Sequence, residues 1–428
     1  MSITEKLSYQ VSNAGWIPQG WAETTLGKVV DFRGGNAFKE KFQGKEFGEF
    51  PFIKVSDFNL SANKIFIRDA NNWIDEDINK EIRATLFEAG TVVFAKVGAA
   101  LLSNRRRILA RKTAIDNNLM AAIPRQIDPK FCYYHLQTVD LAKMVQEGAV
   151  PSVNQGQLQS LPFMQPSLPE QQKIAAILTA VDDKLDVIVR QIETTKALKK
   201  GLMQTLFSRG VGTQDATGRW IPHTEFKDSQ LGEIPVGWEI ANQGSVAKIL
   251  NGRAYKLSEW EEEGTPVIRL QNLTGSGDKY YYSNLKLPPH QYVHNGDLLY
   301  MWSASFGPFI WRGEKAIYHY HIWKIECSER LDKKYMYYSL VGLTEAMKGK
   351  TNGTTMMHLT KAGMEKHSIA LPPVNEQRKI AEIITGADTK IDLLLSRQSH
   401  YQALKSGLMQ KLLTGEWRVK LDSSTGIA

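Results

Sequence analysis

Two stretches of the chain carry apolar or neutral residues at spacings that mostly alternate four and three. In the first they fall at Ile174, Leu178, Val181, Leu185, Ile188, Ile192, Thr195, Leu198, Leu202 and Leu206. In the second they fall at Ile380, Ile384, Ala387, Ile391, Leu394, Gln398, Tyr401, Leu404, Leu408 and Leu412. This is the seam of a coiled coil, and it predicts helices over 169–208 and 374–414. At 1.5 Å per residue, about 38 helical residues make a rod of roughly 57 Å. Pro169 suits a first helical turn and Asn375 is the expected cap of the second helix. Gly201 and Gly407 weaken the late part of each rod. A rod with one apolar stripe needs a partner, and its own copy is the nearest. Pairing about a pseudo-twofold axis perpendicular to the rods makes them antiparallel, although the seam alone permits parallel pairing too.

Outside the two helices the pattern changes. Short alternating or apolar runs at Phe52–Val55, Thr91–Phe94 and Ile322–Ile325 read as strands. Asp128-Pro129 opens an expected helix through Met144, and Asp332 caps a corresponding one through Met347. Arg209–Gly232, rich in Gly, Thr, Asp and Ser, reads as a connector. The fold class is α+β, with two mixed α/β globular domains joined by two long helices. The expected division is a globular domain over 1–168, a helix over 169–208, a connector over 209–232, a second globular domain over 233–373, a helix over 374–414 and a tail over 415–428.

The second half repeats the first. Ile17-Pro18-Gln19-Gly20-Trp21 recurs as Ile234-Pro235-Val236-Gly237-Trp238, and Pro51-Phe52-Ile53-Lys54-Val55 as Pro266-Val267-Ile268-Arg269-Leu270. Glu170–Ser208 aligns with Glu376–Thr414 without a gap and with about half the positions identical. The globular parts diverge while the helices stay alike, the pattern of variable readers on a fixed frame.

Composition narrows the class. Hydrophobic residues make up 42% and aromatics 10%, enough for real cores, and the formal charge of +8 permits a polyanionic partner. The two cysteines, Cys132 and Cys327, form no CxxC pair, which excludes a zinc ribbon and a disulfide framework. There is no apolar signal core and no run of about 20 apolar residues, so a soluble, cytoplasmic protein without a membrane partner is expected.

The repeated motifs Leu168-Pro169-Glu170-Gln171-Gln172-Lys173-Ile174 and Pro372-Pro373-Val374-Asn375-Glu376-Gln377-Arg378-Lys379-Ile380 carry a family resemblance. So do the endings Gly201-Leu202-Met203-Gln204 and Gly407-Leu408-Met409-Gln410. In this order, each after an Ile-Pro-x-Gly-Trp domain, they resemble the DNA specificity subunits of type I restriction–modification enzymes over nearly the whole chain. The resemblance implies two target recognition domains, each reading one half of a split, asymmetric site in double-stranded DNA, and an antiparallel helical spacer that sets the gap. It implies no cofactor in this chain. Two methyltransferase subunits carrying S-adenosylmethionine would modify adenine, and two ATP- and Mg-dependent restriction subunits would translocate and cut. Asn375-Glu376 stands where the first helix has Pro169-Glu170, a departure that bears on how the second helix begins.

Candidate DNA contacts follow from charge and position. Arg105, Arg106, Arg107, Arg111 and Lys112 form the densest basic cluster, and Lys96 stands at a strand exit. Trp302 aligns with Lys96, so the two readers differ chemically there. Lys39 and Lys54 recur as Lys256 and Arg269, with Arg253 and Gln271 as neighbours; phosphate contact or plain surface charge explains them almost equally. Lys348 and Lys350 flank Gly349 after a helix. Catalytic signals are weak. His319 and His321 lack an evident third metal ligand, so no metal site is expected. Glu225-Phe226-Lys227 has a nuclease-like spacing without an upstream acidic partner, and no GxxxxGK[ST] loop or Asn/Asp-Pro-Pro-Tyr tetrapeptide is present. A protein scaffold and a stand-alone nuclease or methyltransferase are the competing readings.

Overall fold

The computed structural model describes residues 9–12, 15–145, 151–303, 305–350 and 359–421, without the side chains of residues 11, 12, 15, 16, 349 and 350. The chain divides into two units, Met1–Val189 with Arg397–Ala428, and Arg190–Ser396.

In the first unit, strands Val30–Gly34, Leu119–Pro124, Val92–Ala95, Arg106–Leu109 and Phe66–Ile67 lie side by side in that order. A second sheet orders Trp73–Ile74, Phe50–Ile53, Thr113–Ile115 and Leu86–Phe87. Because side chains alternate along a strand, Val92–Ala95 serves two cores. Val92 and Phe94 join Phe32, Met120 and Phe131, while Val93 and Ala95 join Ile53, Ile115 and Ala121. The second unit repeats the plan. Ala247–Asn251, Ile322–Cys327, Leu298–Ser303 and Ser305–Ile310 form one sheet; Tyr281–Ser283, Thr265–Ile268, Ala316–Tyr318 and Tyr292–Val293 form the other.

The long helices run Leu168–Arg209 and Val374–Leu413. In the first unit Ile174, Ala175 and Leu178 share a core with Leu408, Met409, Leu412 and Leu413. In the second, Ile380, Ala381 and Ile384 share one with Leu202, Met203, Leu206 and Phe207. The start of each helix lies against the end of the other, so the pairing is antiparallel. Polar contacts fix the register. Asp182 accepts from Tyr134 Oη at 2.7 Å and pairs with Lys405 at 2.8 Å. Asp388 accepts from Tyr338 Oη at 2.8 Å and pairs with Lys199 at 2.5 Å.

The seam positions Ile174, Leu178, Val181, Ile188, Ile192, Ile380, Ile384, Ile391 and Leu394 are buried, and Leu185, Leu202 and Leu408 half-buried. Leu198 and Leu404 are not on the seam: they are 58% and 49% exposed. Two successive steps of three carry each about 120° away from the stripe, and Lys199 and Lys405 turn toward the partner helix instead.

Three further expectations are corrected. Asn375 is no cap: the N–H groups of Glu376 and Gln377 already donate to the Pro373 carbonyl at 2.8 and 3.0 Å, so Asn375 lies inside the first turn. The helix expected from Asp128 to Met144 stops at Thr138, because Asp140 caps a separate 3-10 turn, Leu141–Met144, by accepting from the Ala142 N–H at 3.1 Å. The counterpart runs on over Lys333–Lys350. The connector contains a hairpin, Thr213–Gln214 with Trp220–Ile221.

The helix-start motif has a physical basis. Glu170 accepts the indole N–H of Trp21 at 3.0 Å, and Glu376 that of Trp238 at 2.9 Å. Gln171 accepts from the N–H of Asp128 at 2.8 Å, and Gln377 from that of Asp332 at 2.8 Å. Each repeated Trp and Glu-Gln thus meets at one buried joint between helix and globular part. The chain that follows each helix reaches the same joints. Val211 N, Gly212 N and His223 Nε2 each lie 2.9 Å from Glu376 Oε1, and Arg418 donates to Glu170 at 2.7 and 2.9 Å. Among the described residues no helix is long and apolar enough to cross a membrane.

Candidate nucleic-acid interface

In both units the turn that links the two sheets is held by one set of main-chain bonds. In the first, Asp116 N–H donates to Ile53 O at 2.9 Å, Leu119 N–H to Asp116 O at 2.9 Å and Lys96 N–H to Asn118 O at 2.9 Å. In the second, His319 N–H donates to Ile268 O at 3.0 Å, Ile322 N–H to His319 O at 3.0 Å and Trp302 N–H to His321 O at 3.2 Å. Asn36 bridges to Asp116, and Arg253 to His319. The approach requires glycine. A Cβ on Gly35 would stand 2.2 Å from the Ile115 carbonyl oxygen, and one on Gly252 2.2 Å from that of His319.

On this shared frame the side chains differ. The first turn carries Asp116, Asn117 and Asn118, with Asp116 Oδ1 accepting from Asn118 N and Nδ2 at 2.8 and 2.7 Å. Lys96 reaches across Gly34, its Nζ 2.8 Å from where a Cβ there would sit. The second turn carries His319, Tyr320 and His321. Its surroundings are aromatic and cationic: Trp302 lies 5.5 Å from His321, Tyr255 6.5 Å from His319, Arg253 over Tyr255 at 5.0 Å and Arg269 over Tyr281 at 5.2 Å. Burial, together with His321 and Arg269, pushes the His319 imidazole down to about 4, and burial lowers His321 as well. Both rings are neutral at physiological pH, so the cations here are the arginines.

The expected contact residues separate into groups. Lys54 and Lys96 flank the first turn, and Arg253, Arg269 and Trp302 the second. Lys54 and Arg269 occupy equivalent places: Asp57 accepts from the Lys54 N–H at 2.6 Å, and Asn272 from the Arg269 N–H at 2.9 Å. Arg253 is held by Glu259 through two bonds, 2.9 and 2.6 Å, and Gln271 is half-buried one residue before Asn272. Lys39 and Lys256 are exposed, each just before a 3-10 turn. Arg105 is exposed and bonds to Asn59.

Arg106 is corrected. It is 2% exposed, its guanidinium bonds to the carbonyls of Asn104 and Val139, and burial pushes it down to about 10. Period-two alternation turns it inward, where it braces a loop. Arg107 is half-buried and bonds to the carbonyls of Asn63 and Phe58, so it too braces the fold. Arg111 lies over Trp73 at 5.7 Å and Lys112 pairs with Glu88 at 3.5 Å, both at the start of Thr113–Ile115, the strand whose far end carries the turn. Lys348 pairs with Glu345 at 3.3 Å; the Lys350 side chain lies outside the described residues.

Side-chain chemistry does not mark the turns Asp116–Asn118 and His319–His321 as a matched pair. Their position does: each sits just before an aligned strand, Leu119–Pro124 or Ile322–Cys327. Among the described residues no group of three or more His, Cys, Asp or Glu could hold a metal.

The model of the type I restriction modification DNA specificity domain matches residues 18–196 and, again, 235–399. The chain belongs to this family. Among relatives, the MjaVIII specificity subunit of a type I restriction enzyme from Methanocaldococcus jannaschii is 25% identical, covering 94% of each chain. The EcoBI specificity subunit from Escherichia coli is 32% identical over 37% of this chain and 33% of its own. The crystal structure of a type I restriction-modification S subunit from M. genitalium matches with a TM-score of 0.54 at 14% identity, over 99% of both chains. A chain from a structural study of type I R-M complex assembly matches with a TM-score of 0.56 at 16% identity, over 94% of this chain and 99% of that one. The fold of the type I specificity subunits is therefore the fold of this chain.

Proposed function

We propose that this chain is the non-catalytic specificity subunit of a type I restriction–modification enzyme. Each unit contacts one half of a bipartite, asymmetric sequence in double-stranded DNA, and the chemistry is carried by partner chains. Two methyltransferase subunits with S-adenosylmethionine would modify adenine. Two restriction subunits would use ATP and Mg to translocate and cut, all in the cytoplasm. Lys39, Lys54, Lys256 and Arg269 serve both units alike as phosphate contacts, since phosphates look the same in either half-site.

The observation that supports this reading is the frame repeated bond for bond under unlike side chains. A protein scaffold needs no such divergence at one place.

The test is long-read methylation mapping in a host that expresses the chain with its neighbouring methyltransferase subunit. A new split motif with two unlike parts and a fixed gap is expected. An assembled complex that yields no new motif would transfer the function to scaffolding.

A further inference from the structure

Sequence specificity requires side chains that touch base edges as well as phosphates. The two turns differ from the rest of each surface. They stand on the same main-chain bonds and the same close glycine approach, so their positions are fixed while their chemistry is not. Lys54 and Arg269, by contrast, are both cationic, as a sequence-blind phosphate contact requires.

In the first turn, Asp116 is buried and holds Asn118. Asn117 is exposed, with Lys96 half-buried at the adjoining strand exit. An amide offers a donor and an acceptor, the complement of the adenine N6/N7 edge; an ammonium offers donors only, the complement of guanine O6/N7. In the second turn, Tyr320 is 40% exposed, and Trp302 donates its indole N–H to the Tyr320 carbonyl at 2.9 Å. Trp302 also stacks on Trp323 with ring centres 5.7 Å apart, a rigid support. Among the described residues His321 Nδ1 is buried without a hydrogen-bond partner. With Trp302 in place of a lysine at the strand exit, half-buried beside the exposed Tyr320, this turn offers aromatic surface, which suits apolar contact with the thymine methyl group.

Resting on the DNA-specificity reading, we propose that Asp116–Asn118 with Lys96, and His319–His321 with Trp302, are the base-reading elements of the two half-sites. The first reads purine edges, through the Asn117 amide and the Lys96 ammonium. The second reads thymine through Tyr320 and Trp302.

The test uses the full chain with its methyltransferase subunit. Methylation motifs are mapped for the wild type and for Asn117→Ala, Lys96→Met and Tyr320→Ala. Asn117→Ala or Lys96→Met should broaden a purine position in one half-site, with discrimination lost about 5- to 100-fold. Tyr320→Ala should broaden a thymine position in the other. The untouched half-site in each variant is the control for folding. In a second arm, uracil replaces thymine in a synthetic duplex; this should weaken wild-type binding, and Tyr320→Ala should erase the difference. Variants that keep every position of the wild-type motif, at equal or uniformly lower methylation, would overturn the assignment, as would a uracil duplex bound like thymine. A wild type with no split motif would instead remove the specificity reading itself.

Discussion

The indole of Trp238 donates to the carboxylate of Glu376 at 2.9 Å, and Trp21 makes the same bond to Glu170 at 3.0 Å. Two signatures far apart in sequence, the Ile-Pro-x-Gly-Trp segment and the Glu-Gln at each helix start, are thus halves of one joint. Glu376 is 2% exposed and also serves Val211, Gly212 and His223. Glu376→Ala leaves those donors without an acceptor and should cost about 3–5 kcal/mol, read as a lowered urea midpoint. Arg418→Ala, at the other joint, removes a partly exposed partner and should cost less, about 1–3 kcal/mol.

The Lys405–Asp182 pair fixes how the helices meet. Asp182→Lys should place like charges together, strand the Tyr134 hydroxyl and destabilise by about 2–4 kcal/mol. Combining it with Lys405→Asp should recover part of that loss. A double-mutant cycle in thermal unfolding measures the recovery; strictly additive losses would show that the pair does not act as a unit.

Neighbouring arginines should behave oppositely. Arg106→Ala empties a buried brace and should cost about 2–4 kcal/mol. Arg105→Ala should change stability by less than about 0.5 kcal/mol, and should lower the slope of log affinity against log salt by about one for a lost phosphate contact. Unfolding curves and a salt titration of DNA binding separate the two effects.

Acid should weaken the second unit through His319. Folded, that ring takes a proton only near 4, against 6.5 for a free imidazole. Between these values the unfolded chain binds more protons, so stability present above 6.5 is lost as pH falls toward 4. His319→Asn should flatten the dependence of the unfolding midpoint on pH in this window.

Much of this architecture was legible because it rests on periodicity and repetition. The seam from Ile174 to Ile192 and its copy from Ile380 to Leu394 follow from spacing alone. Leu198 and Leu404 misled because apolar character does not reveal the angle at which a helix presents it. Arg106 misled in the same way: three arginines in a row look like one basic patch, yet a strand turns alternate residues inward. Asn375 has the chemistry of a cap, but Pro373 supplies the carbonyl that begins the helix. The turns at Asp116 and His319 escaped notice because their likeness lies in backbone hydrogen bonds, which unlike side chains conceal.

The division of the helices between the units sets an order of events during synthesis. The second unit is one unbroken length of chain, Arg190–Ser396, and has all its parts once residue 396 has been made. The first begins at the N-terminus yet takes Leu412, Leu413 and Arg418 into its core and its joint. The part translated first is therefore the part completed last. Until the final turns of the second helix emerge, the core that holds Ile174 and Leu178 lacks the part that Leu408, Leu412 and Leu413 supply. The C-terminal residues act as the closing piece of the N-terminal reader, so a ribosome that stalls late would release a chain with its second reader built and its first still open.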